Sequence, residues 1–315
     1  MALDIDMTHE PLINEVRFEL SKRFPIAQGR IDLFRYQLMP LPSRYEGHHE
    51  AILAFQDGME KGHSNAEHEG EIILSVLAML FDCKIKKTGY RLNGLDISGH
   101  SPVKAPLDNF FGGEIGADEY ATFVHQIFTL GDQLTKQFIR ACNSYSLAIS
   151  SIELDRALSF LLLVTALECI STQEELYPNT ELDKSKKSVE RYCRLVKEYC
   201  TNPQELYPSD GEDGFFRDLK TVYYSHRSAF VHGGKEISIA SKVADQTDCN
   251  SIGHFVEGKE IFTPGLKWFF QVTRRTLVGF VSSFPRTLVT PNLEVLADIA
   301  RSRSVLTMRV GGSDV

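Results

Sequence analysis

Between Leu158 and Ile170 the chain reads Leu-Ser-Phe-Leu-Leu-Leu-Val-Thr-Ala-Leu-Glu-Cys-Ile, and Glu168 is the sole charged side chain. A helix that is apolar nearly all round has no side to offer water, so it belongs in the interior of its domain. The segment is shorter than the roughly 20 residues a membrane helix needs, and Asp155 and Arg156 stand at its start. It is therefore expected at the buried centre of a helical bundle. Ser151 is the expected N-cap, with Glu153 and Asp155 in the first turn.

The flanking sequence supplies helices to surround it. Tyr120 to Tyr145 carries Phe123, Ile127, Leu130, Leu134, Phe138 and Cys142 at a spacing close to the helical repeat. Ser185 to Tyr199 reads as a shorter helix, basic on one side. Phe215 to Val231 reads as another, ended by Gly233-Gly234. Thr263-Pro264 has the pattern of a cap followed by proline and is expected to open a last helix running to about Phe284.

The first hundred residues have a different rhythm. Glu15 to Leu20 alternates polar and apolar, the pattern of a half-buried strand. Ile31 to Leu38 and Ala51 to Phe55 are further strand candidates, and Lys84 to Ile97 reads as short strand-like pieces. Glu69 to Phe81, apolar from Ile72 onward, prefers helix. Ser98 to Gly116, punctuated by glycine and proline, reads as a linker or long loop. The fold class expected is α+β: a small strand/helix domain over 1–116, followed by an all-helical bundle over 117–315.

Composition removes several function classes. With 34 basic and 42 acidic side chains the net charge is −8, which argues against coating nucleic acid through a global positive field. It leaves room for a local basic groove. Hydrophobic residues make up 43% and charged residues 24%, which excludes wholesale disorder. Six scattered cysteines without a Cys-x-x-Cys pair read as reduced, mostly core thiols. The acidic start lacks the layout of a signal peptide and no apolar run suits a membrane, so a cytoplasmic protein is expected.

The chemistry concentrates in Tyr223-Tyr224-Ser225-His226-Arg227-Ser228-Ala229-Phe230-Val231-His232-Gly233-Gly234. Phe215, Leu219, Val222, Tyr223 and Phe230 are expected to form an apolar stripe, with Arg227 at its edge, where its stem can pack while the guanidinium reaches a groove. His232 falls in the last helical turn, where the macrodipole favours imidazolium. An arginine fork grips phosphate oxygens, and a histidine titrating near neutrality moves protons. Together they are the minimum set of groups expected for cleaving RNA without a metal. His232 could act as base on the ribose 2′-OH or as acid on the leaving 5′-oxygen, and Arg227 would stabilise the charge on the pentacoordinate phosphorus.

Tyr-x-x-x-Arg-x-x-x-Val-His-Gly-Gly from Tyr223 to Gly234, preceded by the run from Phe160 to Ile170 with its Ala-Leu-Glu, resembles the HEPN superfamily, and most of all its ApeA-like branch. The resemblance covers about Asp118 to Phe284. It implies a helical bundle, often dimeric, with metal-independent endoribonuclease activity used in phage defence, toxin–antitoxin systems or RNA processing. An antitoxin or another defence component is then an expected partner. Arg227 and His232 match the catalytic pair, and Glu168 matches the acidic position of the upstream helix, where it would anchor Arg227 or a backbone donor. Tyr223 and Ser228 are supporting candidates. Active members often place Asn, Asp or His directly after the arginine, where this chain has Ser228. A second reading therefore stays open, a catalytically silent HEPN module that binds RNA or a protein partner.

A homodimer is expected partly on geometry. At 100° per residue, Arg227 and His232 lie about 140° apart around one ideal helix, so two copies related by a twofold axis present the pair better than one.

Other constellations are weaker. Lys184, Lys186, Lys187, Arg191, Arg194 and Lys197 form a basic run in which Lys184, Lys187, Arg191 and Arg194 share a face, suited to an RNA backbone or simply to solvent. His48, His49 and Glu50, with His63, Glu67, His68 and Glu69, are metal-type ligands but lack the His-Glu-x-x-His or finger spacing. A metal hydrolase is thus the third and weakest reading, and neither metal nor cofactor is expected. Asp108 to Gly113 has glycines but no Walker lysine and no dinucleotide-binding context, so nucleotide binding by those routes is not expected.

Overall fold

The computed structural model describes residues 13–21, 31–33, 36–41, 49–56, 63–93, 117–173, 187–208, 211–224, 251–256, 259–284, 295 and 299. The chain divides into two compact units. One comprises residues 1–74, 85–125 and 296–315, and the other 75–84 and 126–295. The content is mixed α+β, with an N-terminal antiparallel sheet and seven α-helices among the described residues.

In the first unit, strands β1 (Ile13–Leu20), β2 (Ile31–Leu33), β3 (Tyr36–Pro40), β4 (His49–Gln56) and β5 (Ile85–Asn93) form one sheet in the order β2-β3-β4-β1-β5. The alternation in β1 holds in part: Val16, Phe18 and Leu20 are buried and Arg17 between them is exposed, but Glu15, expected on the solvent side, is buried too. Helix α1 (His63–Phe81) begins against this face. Gly70 permits the close approach, since a Cβ there would overlap the Val16 side chain. The Tyr36 hydroxyl donates to Glu69 Oε1 at 2.7 Å, and Lys87 pairs with Glu71.

Two expectations need correction here. Ile31 to Leu38 is not one strand. It is broken into β2 and β3, which fold back on each other with Leu33 opposite Tyr36. The stretch from Lys84 is one strand rather than several pieces, its continuity kept by pairing along β1 with a register shift between Arg17 and Phe18. The proposed linker, Ser98 to Gly116, lies outside the described residues.

The second unit is built on helices α3 (Asp132–Ser151), α4 (Arg156–Ser171), α5 (Lys187–Tyr199), α6 (Gly211–Val222) and α7 (Leu266–Ser282). Helix α4 packs against α3, α5 and α7, and α5 also packs against α7. Aromatic side chains of α7 run through this core. Phe269 stacks on Phe160 at 5.9 Å, Phe280 on Phe138 at 6.3 Å, and Phe270 meets Tyr145 edge-on at 5.3 Å.

The expected helix over Tyr120 to Tyr145 is two helices, α2 (Ala117–Thr129) and α3. Gly131 breaks the run with φ of +88°, a left-handed conformation that glycine adopts without a Cβ penalty. Thr135 then closes the joint, its hydroxyl donating to the Ile127 carbonyl at 2.8 Å. Ser151 is not the cap of α4; it ends α3. Asp155 caps α4 instead, accepting from the Ala157 and Leu158 amides at 2.9 and 3.1 Å.

The second half is also not all helical. Strands β6 (Ser251–Val256) and β7 (Lys259–Pro264) form an antiparallel hairpin. Thr263 and Pro264 belong to β7, paired with Ile252 and Ser251, so hairpin pairing overrides the cap-then-proline pattern. Helix α7 starts two residues later, with Gly265 at its N-cap position.

The link between α5 and α6 is clamped by α7. Asn202 takes a left-handed turn with φ of +47° ahead of a short 3-10 helix, Pro203–Leu206. Arg275 donates to the Asn202 carbonyl at 2.9 Å and to Glu205 Oε2 at 2.7 Å, while Trp268 donates to the Leu206 carbonyl at 2.8 Å. Gly279 lets α7 pass the end of α5, because a Cβ there would collide with the Tyr199 carbonyl oxygen.

Candidate functional site

Helices α4, α5 and α6 converge on Glu168. The burial of its neighbours Leu167 and Ile170 fixes the rotation of α4 and leaves Glu168 half-buried near the C-terminal end. Helix α6 arrives with Phe215, Leu219 and Val222 turned inward and widens into π-type turns at Tyr223 and Tyr224. Such widenings recur at functional sites. From there the Tyr223 hydroxyl donates to Glu168 Oε1 at 2.8 Å.

The third contribution comes from α5. Tyr192 is fully buried, its ring 5.2 Å from that of Tyr223, and its hydroxyl meets no hydrogen-bond partner among the described residues. Burial pushes the Tyr192 phenol well above its ordinary range, with smaller contributions from Cys193, Glu168 and Tyr223. The neighbouring Cys169 thiol is pushed up to about 11, first by burial and then by Glu168, against the opposing charge of Arg140. Tyr224 remains 51% exposed beside Tyr223, their rings 5.8 Å apart. The result is a carboxylate held by one phenol, shielded by a second, and bordered by an exposed aromatic ring.

Of the residues singled out by sequence, the structure brings Glu168 and Tyr223 together. Arg227, Ser228, His232 and Lys184 lie outside the described residues, and Lys187 is described only as part of the α5 backbone. Arg191 is half-buried on α5. Arg194 is exposed, 4.0 Å from Glu198, and Lys197 pairs with Glu212 at 3.1 Å while lying over Phe216. The basic run therefore has acidic partners along part of its length. Sequence reading passed over Tyr192, although Val189, Tyr192, Cys193 and Val196 form the buried stripe of α5 that would have placed it inward.

The metal-type residues distribute over two elements. His49 and Glu50 open β4, while His63, Glu67, His68 and Glu69 lie in the first turns of α1. Glu69 is engaged by Tyr36, and His68 Nδ1 lies 3.6 Å from Glu71. Among the described residues, no three His, Cys, Asp or Glu side chains gather as a metal-holding group. His48 and Asp108 to Gly113 lie outside the described residues. Cys83, Cys142, Cys169, Cys193 and Cys200 are all free thiols. No helix among the described residues is long and apolar enough to cross a membrane. A cavity of about 600 Å³ opens where α5 and α7 end, lined by Glu198, Tyr199, Thr201 and Ser282 among others, and shares no residue with the Glu168 cluster.

Comparison of the chain with protein-family models, with curated proteins and with solved structures finds no match.

Proposed function

We propose that this protein is a metal-independent endoribonuclease of HEPN type, acting as a cytoplasmic homodimer in phage defence or a toxin–antitoxin system. The hydrogen bond from Tyr223 to Glu168 carries the reading, because it ties together the two segments on which the resemblance rests. Tyr223 lies four residues before Arg227 and nine before His232. Tyr223, the first residue of that motif, is thus held at Glu168.

The chemistry needs no cofactor. A histidine takes the proton of the ribose 2′-OH, the 2′-oxygen attacks phosphorus, and the bond from phosphorus to the 5′-oxygen breaks. The leaving oxygen receives a proton from a second histidine or from water, giving a 2′,3′-cyclic phosphate and a 5′-hydroxyl. Arg227 neutralises charge on the phosphoryl oxygens as the transition state forms. Lys184, Lys187, Arg191 and Arg194 would track the RNA backbone leading to the site.

The decisive experiment incubates purified protein with mixed RNA, with and without EDTA, beside His232→Ala. Cleavage is expected to survive EDTA, to spare DNA, and to vanish in the variant. Metal-dependent cutting, or equal cutting of DNA, overturns the nuclease reading. Ser228 favours the second reading, a silent module. RNA retained uncut by the wild type, with retention lost in Arg191→Ala/Arg194→Ala, would establish that reading instead.

A further inference from the structure

The outward face of α6 carries an aromatic ring near each end, and the two rings are in different situations. Toward the start, Phe216 already has Lys197 over its ring at 5.6 Å, and Lys197 is itself paired with Glu212 at 3.1 Å. At the far end, Tyr224 is 51% exposed, and among the described residues no other aromatic side chain is so open to water. Lys220, one turn earlier, is exposed and has no acidic partner among the described residues. Arg217 keeps most of its side chain in water while reaching Asp218 at 3.4 Å. At 100° per residue, Arg217, Lys220 and Tyr224 fall within about 60° of one another around α6, so two cations lead up to the ring.

The ring is also held. Tyr223 meets Tyr224 edge-on, at 87° with centroids 5.8 Å apart. Tyr223 in turn is fixed by its hydrogen bond to Glu168 at 2.8 Å and by the Tyr192 ring at 5.2 Å. Whichever ring offers its edge, at least one face of Tyr224 is left uncovered by that contact.

We propose that Tyr224 is a base-stacking platform, on which one unpaired base of the RNA lies flat while the adjoining phosphates meet Lys220 and Arg217. The proposal rests on the nuclease reading and deepens it, by naming the residue that seats a nucleotide beside the cleavage pair. Stacking on an aromatic side chain accepts any base but requires that base to be out of a duplex. Lys220 and Tyr224 lie about 6 Å apart along the helix axis, close to one nucleotide of an extended strand. Arg227 follows Tyr224 by three residues, and a chain of that length reaches at most about 11 Å. A base on Tyr224 therefore belongs to a nucleotide close to the scissile bond.

The charges select this occupant. A cationic partner would be repelled by Lys220 and Arg217, and an apolar one would bury them unpaired. A polyanion with flat aromatic units satisfies both the cations and the ring. Glu212 and Asp213 stand in the first turn of α6, which confines the strand to the last turns of the helix.

The test uses the full chain carrying His232→Ala, so that RNA stays intact. Short single-stranded RNA with one 5-iodouridine, which on irradiation couples to an aromatic ring stacked against it, is expected to become attached at Tyr224, as mapped by mass spectrometry. Adding Tyr224→Ala is expected to abolish that adduct and weaken RNA binding about 10-fold, whereas Tyr224→Phe, which keeps the ring, stays within about 2-fold of the parent. Lys220→Ala is expected to retain the adduct and to reduce the salt slope of binding by about one. The same strand annealed into a duplex is expected to give no adduct. A wild type that cuts RNA, with the adduct mapped elsewhere or with Tyr224→Ala binding as the parent does, overturns the platform and leaves the nuclease reading standing. A Tyr224→Phe loss as large as that of Tyr224→Ala also overturns it, because the hydroxyl and not the ring would then make the contact. RNA neither cut by the wild type nor retained by the parent overturns both.

Discussion

Helices α1 and α4 look alike in the sequence and end up in different situations. Both carry long apolar runs with little polarity on any side. In α1, every residue from Ile72 to Phe81 except Ser75 is buried, most of them completely. In α4, the inward residues Leu163, Val164 and Leu167 are equally buried, but Leu158, Leu161 and Leu162 are only half covered. An apolar run thus states how much surface must leave water without naming what covers it. For α1 the chain itself supplies the cover. For α4 the cover is complete on the inward sides and thinner along Leu158, Leu161 and Leu162, which keep part of their surface.

The largest test of this contrast is a pair of truncations. Leu77→Ala in α1 removes side-chain volume from a site with no exposure, and should cost about 2–5 kcal/mol in a urea melt followed by Trp268 fluorescence. Leu162→Ala in α4 removes a side chain that keeps part of its surface in water and should cost less, about 1–2 kcal/mol. Equal losses at the two positions would break the comparison.

A second test concerns how closely α4's neighbours are held. Gly279 of α7 abuts the Tyr199 carbonyl of α5, and backbone cannot swing aside as a side-chain tip can. Gly279→Ala is expected to cost about 1–3 kcal/mol by forcing α5 and α7 apart. At Gly131 a Cβ would meet nothing, so Gly131→Ala should cost only the strain of its positive φ, about 1 kcal/mol. Differential thermal melts separate the two. A smaller loss at Gly279 than at Gly131 would mean that the α5–α7 contact is loose.

Much of this architecture was legible because burial follows periodicity. The alternation in β1, the apolar run of α1 and the interior of α4 could all be read directly. Capping and turns were less legible, since they depend on competition between neighbours. Ser151 and Asp155 are both competent caps, and the choice fell to Asp155 because α3 continues through Ser151. Thr263-Pro264 carries the signature of a helix start, but pairing with Ile252 and Ser251 absorbed it into a strand. In the candidate site, Glu168 stood out as a lone charge in an apolar helix, and Tyr223 through the motif. Tyr192 stood out in neither way, because a buried phenol without a partner looks in sequence like any core aromatic.

The closed inner core of the helical unit also predicts an alkaline limit. Burial holds the Cys193 and Cys200 thiols up to about 11, as it does Cys169, whereas unfolded thiols ionise near 9.0. The folded state therefore keeps protons that the unfolded state releases between those values. Stability is fully present below about pH 9 and falls as pH rises toward 11. Melting temperature measured from pH 8 to 11 should decline, and the decline should be shallower in Cys169→Ala/Cys193→Ala/Cys200→Ala. An unchanged slope would place the sensitivity in other groups.

The smallest and sharpest test lies where α4 is sealed by Tyr192 and Tyr223, two phenols whose rings touch. Both side chains are nearly or fully buried, so removing either hydroxyl leaves the ring contacts almost unchanged. What differs is the oxygen. The Tyr223 hydroxyl donates to a carboxylate at 2.8 Å, and its loss leaves Glu168 with one donor fewer. Tyr223→Phe should therefore destabilise by about 1–2 kcal/mol. The Tyr192 hydroxyl has been taken out of water without a described partner, so the folded state bears its desolvation unrepaid. Tyr192→Phe should be neutral or stabilising in the same urea titration. Glu168→Gln separates charge from geometry, because the amide oxygen still accepts from Tyr223. It should lose less than Tyr223→Phe if the bond serves to hold α6 in place, and at least as much if the negative charge itself is what the cluster requires.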